Sequence, residues 1–513
     1  MTRVRQAEVA VFGATAGGVC AAVAAAEHGA RVLLLEPGAH VGGMTSGGLG
    51  YTDVGDLRVL GGAAARFRNA VAEHYGVAPG RYAGPEPQVA EAILLAWLDA
   101  AGVELVTGAL LTGVAMRGDA IASASFRDLT VEAGVWIDAG YEGDLLAAAG
   151  VPYRVGREDR ALHGERFAGR REVVPGMHSM PDGVSPFRDD AAGLEPGVLL
   201  PQVRAEPMAD VGAGDGGVMS YGYRLCLSTA SDRIPFDEPA GYDPARWELG
   251  RRILAAERAR GVERPAGRMV GLEPNLPGGK ADGNSLGPFS LSVLDGSAWR
   301  YPDADQPERD GIREHHRRHA LGLLHFLRTD PAVPPDVRSE IDRWGLAADE
   351  FADTGHLPHQ LYVREARRMQ GRRILTEHDL LGGTVSDDTI ALGSYHLDVR
   401  EVQRAWRWVY EHPRPIAQVV SEGYYSVPVP VYGIPYAALL PPDGVATNLL
   451  VSTCVSASHV AFSSIRMEVQ YQMLGQAAGT AAALAIAADV APDRIDVGTL
   501  RETLAADGAV LAL

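Results

Sequence analysis

The 513-residue chain contains a single lysine, Lys280, although lysine and arginine together number 47. An enzyme that holds its cofactor as a lysine Schiff base would depend on that one residue, so pyridoxal chemistry is disfavoured. Cysteine is almost as rare. Cys20, Cys226 and Cys454 are far apart, and no Cys/His cluster has the spacing of a zinc or iron–sulfur site. We therefore expect no metal, and so few cysteines are typical of a reducing cytoplasm.

Long apolar runs and an excess of positive charge are also missing. The longest apolar stretch, at about 477–488, is shorter than the roughly 20 residues that cross a membrane. The formal net charge of −18 disfavours nucleic acid as a partner. A short apolar run follows Arg3 and Arg5, but Glu8 and paired glycines interrupt it, so we expect no signal peptide. These features predict a cytoplasmic globular protein of two or more domains, without a membrane partner.

The first fifty residues carry a dinucleotide-binding pattern. An apolar strand at 9–12 leads into Gly13 to Gly18 (GATAGG), then into a small-residue helix and a second strand that ends at Glu36. The glycines allow a tight turn and close packing, the helix N-terminus receives a pyrophosphate, and Glu36 accepts the ribose hydroxyls. Thr15 replaces the second glycine of the G-x-G-x-x-G motif. The whole βαβ unit nevertheless favours a nucleotide site over a plain parallel-sheet unit.

A second glycine-rich match, Gly212 to Gly217, is interpreted as a decoy. No apolar strand precedes it, and residues 218–228 resemble a strand rather than a helix. The motif needs a strand before it and a helix after it to bind a nucleotide. We therefore expect no second nucleotide domain, which disfavours a pyridine-nucleotide–flavin reductase.

Three later segments favour FAD over NAD. Directly after Glu36, a glycine-rich run at 37–50 lets the backbone approach a large planar ligand. Strands at about 110–116, 120–126 and 129–138 form the meander typical of the flavoprotein version of the Rossmann fold. A Gly/Ala-rich helix at about 469–488 would direct its N-terminal dipole at a reduced flavin. A flexible loop and an ordinary buried helix are the alternatives for the first and third segments.

These patterns predict an α/β fold: a Rossmann-type, glutathione-reductase-like FAD-binding domain, with a parallel sheet and a β-meander, that carries an inserted α+β substrate domain. The FAD-binding domain is expected in two parts, 1–155 and 435–513, around a substrate or cap domain at 156–434. Within the latter, helices are predicted at 309–327 and 358–372. The residues expected to contact FAD are Gly13, Thr15, Ala16, Gly17, Gly18, Glu36, Gly42, Gly43, Met44, Thr45, Ser46, Gly47, Leu111, Asp138, Ala139, Ser463, Arg466, Gly475 and Ala478.

Several further segments, spread over nearly the whole chain, support a family resemblance. They include GGMTSGG from Gly42, IDAGYEGDLL from Ile137, YRLCLS from Tyr223, LYVREARR from Leu361 and SASH from Ser456. With them the sequence resembles the FAD-dependent oxidoreductases whose bacterial members often carry a provisional xanthan lyase label. The resemblance implies the fold and the FAD cofactor, but no particular reaction. One departure is Asp398-Val-Arg400, where relatives tend to have Asp-Ser-His.

Three residues are candidates for catalysis. His459 follows a strand in the C-terminal part and is the first candidate base, the alternative being a structural histidine near FAD. Arg364, with Arg367 and Arg368 on the same predicted helix, could bind a substrate carboxylate, or these arginines could pair with acids such as Glu365 and Glu377. Tyr395 is a weaker candidate. Arg466 is expected either to steady the flavin or to pair with Glu468.

The function predicted from the sequence is that of an FAD-dependent dehydrogenase or oxidase. It would transfer hydride from a small polar substrate, such as a sugar or a natural-product intermediate, to flavin N5. The alternatives are a flavin-dependent monooxygenase, a lyase or isomerase that uses FAD without net redox chemistry, and a flavin-binding protein that is not an enzyme.

Overall fold

The structure, a computed structural model, describes residues 3–81, 84–174, 178–189, 196–411 and 414–513. In chain order its strands are β1 Arg3–Phe12, β2 Val32–Glu36, β3 Glu104–Thr107, β4 Leu111–Arg117, β5 Ala120–Phe126, β6 Leu129–Asp138, β7 Tyr153–Arg154, β8 Leu225–Ser228, β9 Ala281–Gly283, β10 Gly345–Leu346, β11 Arg368–Met369, β12 Thr389–Gly393, β13 Leu397–Val399, β14 Gln403–Glu411, β15 Arg414–Glu422, β16 Tyr425–Val427, β17 Tyr432–Pro435 and β18 Leu449–Val451. Its α-helices are α1 Ala16–Glu27, α2 Gly62–Tyr75, α3 Pro87–Ala100, α4 Asp144–Ala148, α5 Arg160–His163, α6 Glu248–Ala259, α7 Gln306–Thr329, α8 Pro335–Arg343, α9 Glu377–Leu381, α10 His459–Ile465, α11 Glu468–Ala488 and α12 Val497–Ala506.

A parallel sheet with the strand order β3-β2-β1-β6 forms the centre of the N-terminal part. β18, from near the C-terminus, adds to β6 in parallel, with Val451 opposite Asp138. β4 and β5 extend the sheet as an antiparallel meander from the start of β6. This arrangement of sheet and helices confirms the predicted α/β class. The domain boundaries at 155 and 434 stay a prediction.

The register brings the carboxyl ends of β1, β2 and β6 to one edge of the sheet. Phe12 lies opposite Leu35 on one side and Asp138 on the other. Ligands of open α/β sheets bind in the crevice outside the carboxyl ends of the strands. The site is therefore to be sought at this edge.

Helices α1 and α11 approach each other closely because both consist largely of small residues. A Cβ atom on Gly475 would overlap the carbonyl oxygen of Gly17, and one on Gly479 would overlap that of Ala21. The glycine-rich composition of α11 thus has a packing cause: its backbone lies directly against the backbone of α1. This contact fixes the position of the first turn of α1 at the edge of the sheet.

The predicted helix at 358–372 is wrong. Residues 361–367 have no regular structure, and 368–369 form β11, which pairs with β7. Arg364 and Arg368 are both buried, yet Arg364 donates to the Ser220 carbonyl and Arg368 to Glu158. A helix would align these side chains on one face, whereas their partners require an extended path, so tertiary contacts override the local helix propensity.

The decoy segment 212–217 has neither a preceding strand nor a following helix. Gly212 instead exchanges backbone hydrogen bonds with the loop at 160–170. The predicted helix at 309–327 is confirmed as part of the longer α7, which Asp305 caps.

None of the helices in the described ranges combines the length and the apolar composition that a membrane-spanning segment needs.

Candidate functional site

A cavity of about 500 Å³ opens at the carboxyl edge of the sheet. Gly13, Thr15, Glu36 and Gly43, four of the residues predicted to contact the cofactor, line it. Its opposite wall comes from the middle of the chain, between residues 306 and 361. Residues on that wall are Gln306, Arg313, Asp353, Thr354, His359, Gln360 and Leu361.

The turn between β1 and α1 is built for close backbone approach. Gly13 has a φ of +95°, and a Cβ atom there would lie 2.6 Å from the Gly140 nitrogen. Thr15 is the N-cap of α1: its hydroxyl accepts from the Gly18 N–H at 3.0 Å and donates to the Ala139 carbonyl at 2.8 Å. Thr15, which replaces the second glycine of the motif, therefore caps the N-terminus of α1 and connects the helix by a hydrogen bond to Ala139, just after β6.

Glu36, at the end of β2, is one of the four acids that line the cavity. Its carboxylate accepts hydrogen bonds from the N–H groups of Ala14 and Gly38, both at 2.7 Å. Burial raises the pKa of Glu36 to about 7, although these two N–H groups oppose the shift. Each carboxylate oxygen has a second lone pair, so the group can still accept further hydrogen bonds from a ligand.

The segment 42–47 is held by two buried groups, Tyr141 and Glu468, to which the sequence analysis gave no role at this loop. The Tyr141 hydroxyl accepts from the Met44 N–H at 2.9 Å and donates to Glu468 at 2.9 Å. Thr45 donates to the other oxygen of Glu468 at 2.7 Å. Burial raises the pKa of Glu468 to about 7. The first residue of α11 thereby fixes a loop more than four hundred residues earlier, and no local pattern reveals such a pair.

The other predicted cofactor residues are not among those that line the cavity. Asp138 accepts from the N–H groups of Gly140 and Leu146, so it shapes the turn after β6, and burial raises its pKa to about 7. At the meander it is Leu110, rather than its neighbour Leu111, that lines the cavity. The remainder are buried in α1, the 42–47 loop, the end of β6 or the C-terminal helices: Ala16, Gly17, Gly18, Gly42, Met44, Thr45, Ser46, Gly47, Ala139, Ser463, Arg466, Gly475 and Ala478.

Arg313 brings a positive charge to the cavity wall from α7. Its Nε and Nη2 donate to the Tyr301 hydroxyl at 3.1 and 2.8 Å, which fixes the guanidinium. Its Nη1 also pairs with Asp310 at 2.9 Å. Asp144, an acid that also lines the cavity, is neutralised by Arg309 and Arg367 at 2.6 and 2.7 Å. The cavity therefore contains a positioned arginine that the sequence analysis missed, because α7 lies almost three hundred residues from the glycine motif.

His459, the predicted base, forms a buried pair with Glu365. Its Nδ1 lies 2.9 and 3.0 Å from the two carboxylate oxygens. Burial raises the pKa of Glu365, but the His459 ring, Arg368 and the Met219 N–H together lower the pKa overall. The ionised carboxylate therefore accepts, and Nδ1 carries the hydrogen. The opposite ring nitrogen, Nε2, is buried and has no hydrogen-bond partner in the described chain. A histidine oriented by a carboxylate, with a free lone pair on Nε2, is equipped to accept a proton.

The three arginines predicted to act together are separated. Arg367 pairs with Asp144 and Asp303, and Arg368 pairs with Glu158. Arg364 has no carboxylate within 4.0 Å among the described residues, and it lies over the Tyr362 ring. The alternative interpretation, that these arginines pair with acids, therefore holds for Arg367 and Arg368 but not for Arg364.

Arg466 and Tyr395 lie on the same side of α10. Arg466 pairs with Asp398 at 3.0 Å, so its expected pairing with Glu468 is wrong. The Tyr395 carbonyl accepts from Ser464, which belongs to α10, and burial raises the pKa of the Tyr395 phenol.

Lys280, the one lysine of the chain, is buried among three carboxylates. Its Nζ lies 2.6 Å from Glu86, 2.7 Å from Asp349 and 2.9 Å from Glu350. These acids lie close enough together to hold a metal ion. The ammonium group already supplies the positive charge that the acids require, so the cluster is an ion-pair network of the fold.

Comparison with known proteins places the chain in a family. No curated protein matches it. Solved structures to which part of the chain is similar include three of low sequence identity. Thermovibrio ammonificans THI4 is 18% identical, with a TM-score of 0.23 over 30% of this chain and 66% of its own. L-proline dehydrogenase from P. horikoshii is 13% identical, with a TM-score of 0.24 over 31% and 59%. T. acidophilum thioredoxin reductase is 21% identical, with a TM-score of 0.17 over 26% and 35%.

The chain thus spans between 35% and 66% of the length of these three proteins. The family described as FAD dependent oxidoreductase matches over residues 8–504, almost the whole sequence. The chain therefore belongs to the FAD-dependent oxidoreductase family and is an enzyme of that family.

Proposed function

We propose that the chain binds FAD at the carboxyl edge of the parallel sheet and oxidises a small polar substrate as a dehydrogenase or oxidase. The observation that carries the proposal is the cavity lined by Gly13, Thr15 and Glu36, in a chain that matches an FAD-dependent family over nearly its full length. Such a cavity, at the ends of parallel strands and beside a helix N-terminus, suits a dinucleotide.

The residues present fit the cofactor. Glu36 has free lone pairs for sugar hydroxyls, while Arg313 and the start of α1 supply positive potential for a diphosphate. A Cβ atom at Gly13 would overlap the Gly140 backbone, so only glycine lets the turn after β1 pack this closely against the end of β6. Together these groups would hold the adenosine diphosphate part of FAD.

In this proposal His459 is the base. When bound, FAD supplies a hydride acceptor for the oxidation. His459 Nε2 accepts the proton that the substrate loses, and the Glu365 carboxylate stabilises the positive charge that then develops on the ring. α10 begins with His459, and Glu468, three residues after its end, accepts from Thr45, which links the proposed base to the glycine-rich loop.

The test is purification followed by cofactor analysis and anaerobic screening. We expect released FAD near one equivalent per chain, and bleaching of the flavin absorbance by one class of small polar donors without added NAD(P)H. A folded sample that stays colourless after incubation with FAD would refute the cofactor assignment. Reduction by NAD(P)H with incorporation of oxygen into product would instead establish a monooxygenase, and turnover without net redox change would establish a lyase or isomerase.

FAD affinity is expected to fall as the pH falls from 8 to 6. The Glu36 carboxyl, with a pKa of about 7, is mostly ionised at pH 8 and mostly protonated at pH 6. Because the ionised form is the better acceptor for sugar hydroxyls, FAD binding favours deprotonation, and the dissociation constant should rise up to about tenfold over this interval. Fluorescence titration of the apoprotein with FAD measures the effect. Glu36→Gln should weaken binding at pH 8 and flatten the pH profile; an unchanged profile in this variant would contradict the role of Glu36.

A further inference from the structure

Arg364 is a buried cation that forms no ion pair in the part of the chain that the structure describes, although Glu401 is close enough to act on its charge. Its side chain is 4% exposed and makes one hydrogen bond, to the Ser220 carbonyl. Within the ranges that the structure describes, no carboxylate lies within 4.0 Å of its guanidinium. A buried ion without a partner is strongly destabilising, so buried charges are normally paired. By contrast, Arg367 and Arg368, three and four residues later, each have a carboxylate at 2.7–2.8 Å.

Two further arginines surround Arg364 and make its position less favourable. Arg400 and Arg466 are close enough to repel it, and burial together with these two charges lowers the pKa of Arg364 to about 9. Each of the two has an acid of its own: Asp398 lies 3.0 Å from Arg466, and Glu401 lies 3.5 Å from Arg400. We call Arg364, Arg400 and Arg466 the arginine cluster. It contains three guanidinium groups and two adjacent carboxylates, one of which, Glu401, also lies 2.9 Å from His178.

Unused polar atoms lie around the same place. The Nε atoms of Arg400 and Arg466 and the Oγ of Ser220 are buried without hydrogen-bond partners in the described chain. Ser220 is the residue whose carbonyl receives the Arg364 hydrogen bond. In the same part of the described chain, Glu401 Oε1, a possible acceptor, is also buried without a hydrogen-bond partner. The three unused donors outnumber it, and because buried polar groups are nearly always satisfied, they point to a missing acceptor.

The cluster adjoins the proposed base. Glu365, which orients His459, is the next residue after Arg364. Arg466 is the C-cap of α10, the helix that begins with His459, and a helix of seven residues spans roughly 10 Å. A small molecule bound between the two ends of α10 would therefore reach both the proposed base and the arginine cluster.

We propose that the arginine cluster, with Arg364 as its central member, binds the carboxylate group of the substrate. A single excess positive charge matches a monoanion, and a guanidinium is the side chain whose donors fit the two oxygens of a planar carboxylate. The proposal rests on the proposed function in that it names the substrate class of the same site: a small carboxylic acid whose oxidisable carbon lies toward His459.

The test is calorimetric titration of the purified full chain, as isolated with its cofactor, with benzoate and with the uncharged analogue benzamide. Benzoate is expected to bind saturably and benzamide not to bind. Arg364→Gln should weaken benzoate binding by about tenfold or more, because a charge-assisted hydrogen-bonded pair is lost. Arg364→Lys retains the charge but not the planar pair of N–H donors, so it should retain part of the affinity. This partial rescue separates a binding role from a folding defect. Arg251→Gln is the control, since Arg251 is a partly buried arginine that pairs with Asp330 at 2.8 Å away from the proposed site, and it should bind benzoate within about twofold of the wild type.

Three results would overturn the proposal. These are absence of carboxylate binding to the wild type, equal benzoate affinity in Arg364→Gln, and tighter binding of inorganic phosphate than of any carboxylate. Normal benzoate binding by Arg364→Gln with a lowered flavin reduction potential would assign Arg364 to the reduced cofactor. Calorimetry reads the anion directly, and FAD is measured separately in the same samples. Loss of FAD binding would therefore refute the proposed function, while the benzoate titration of the same samples still supports or overturns the carboxylate site.

Discussion

Replacement of His459 by glutamine is expected to slow substrate-driven reduction of the flavin by about 10²–10⁴-fold, the usual contribution of a positioned general base. His459 Nε2 has no partner in the described chain, while Nδ1 is fixed by Glu365, so the ring is held for proton transfer and serves no second structural contact through Nε2. FAD content should stay near that of the wild type. Anaerobic stopped-flow measurement of flavin bleaching, with the donor found by screening, gives the rate.

Two variants sharpen the interpretation. Glu365→Gln keeps the shape of the partner but removes its charge, so it should lower the same rate by a smaller factor, because the ring loses the group that stabilises its protonated form. His319→Gln is the matched control: His319 is also buried with one bonded nitrogen, but its partner is the Ser290 carbonyl, and burial lowers its pKa to about 3. We expect His319→Gln to affect stability only. Wild-type reduction kinetics in His459→Gln would eliminate His459 as the base.

Substitution of Gly475 by valine is expected to destabilise the folded chain by at least about 3 kcal/mol and to abolish FAD retention. The new side chain would overlap the Gly17 carbonyl oxygen, which is backbone and cannot rotate away. Relief requires α11 to move off α1, and this movement displaces both the first turn of α1 and Glu468, which holds Thr45. Denaturant unfolding and the FAD-to-protein ratio measure the two effects.

The control for this substitution is Gly311→Ala, in the exposed part of α7. No heavy atom lies within 4 Å of a Cβ built at Gly311, so the change should stabilise the helix by up to about 1 kcal/mol through propensity alone. An alanine at Gly475 that unfolds at the wild-type denaturant concentration would show that the two helices are not in backbone contact. It would also remove the packing explanation for the composition of α11.

Short-range patterns were sufficient to predict the nucleotide-binding half of the fold. The helix α1, the acid that ends β2 and the meander β4–β6 each depend on local periodicity, glycine positions and strand length, and each was predicted within one or two residues. The same applies to β18 and α11 near the C-terminus. The role of Gly475 was not predictable in this way, because composition shows that a helix is small but not which backbone lies against it.

The sequence by itself determined the α/β class, the dinucleotide motif and the position of Glu36, since neighbouring residues specify strands, turns and helix starts through local sterics and hydrogen bonding. Only the tertiary structure decided which charges meet. Arg364, Arg367 and Arg368 are indistinguishable as local sequence. Among the described residues, Arg367 and Arg368 nevertheless have an acid within 4.0 Å and Arg364 has none, because the groups around each arginine come from distant segments of the chain. The pairing of His459 with Glu365, and of Glu468 with Tyr141, depends in the same way on long-range packing, because burial makes each such pairing a property of the assembled core.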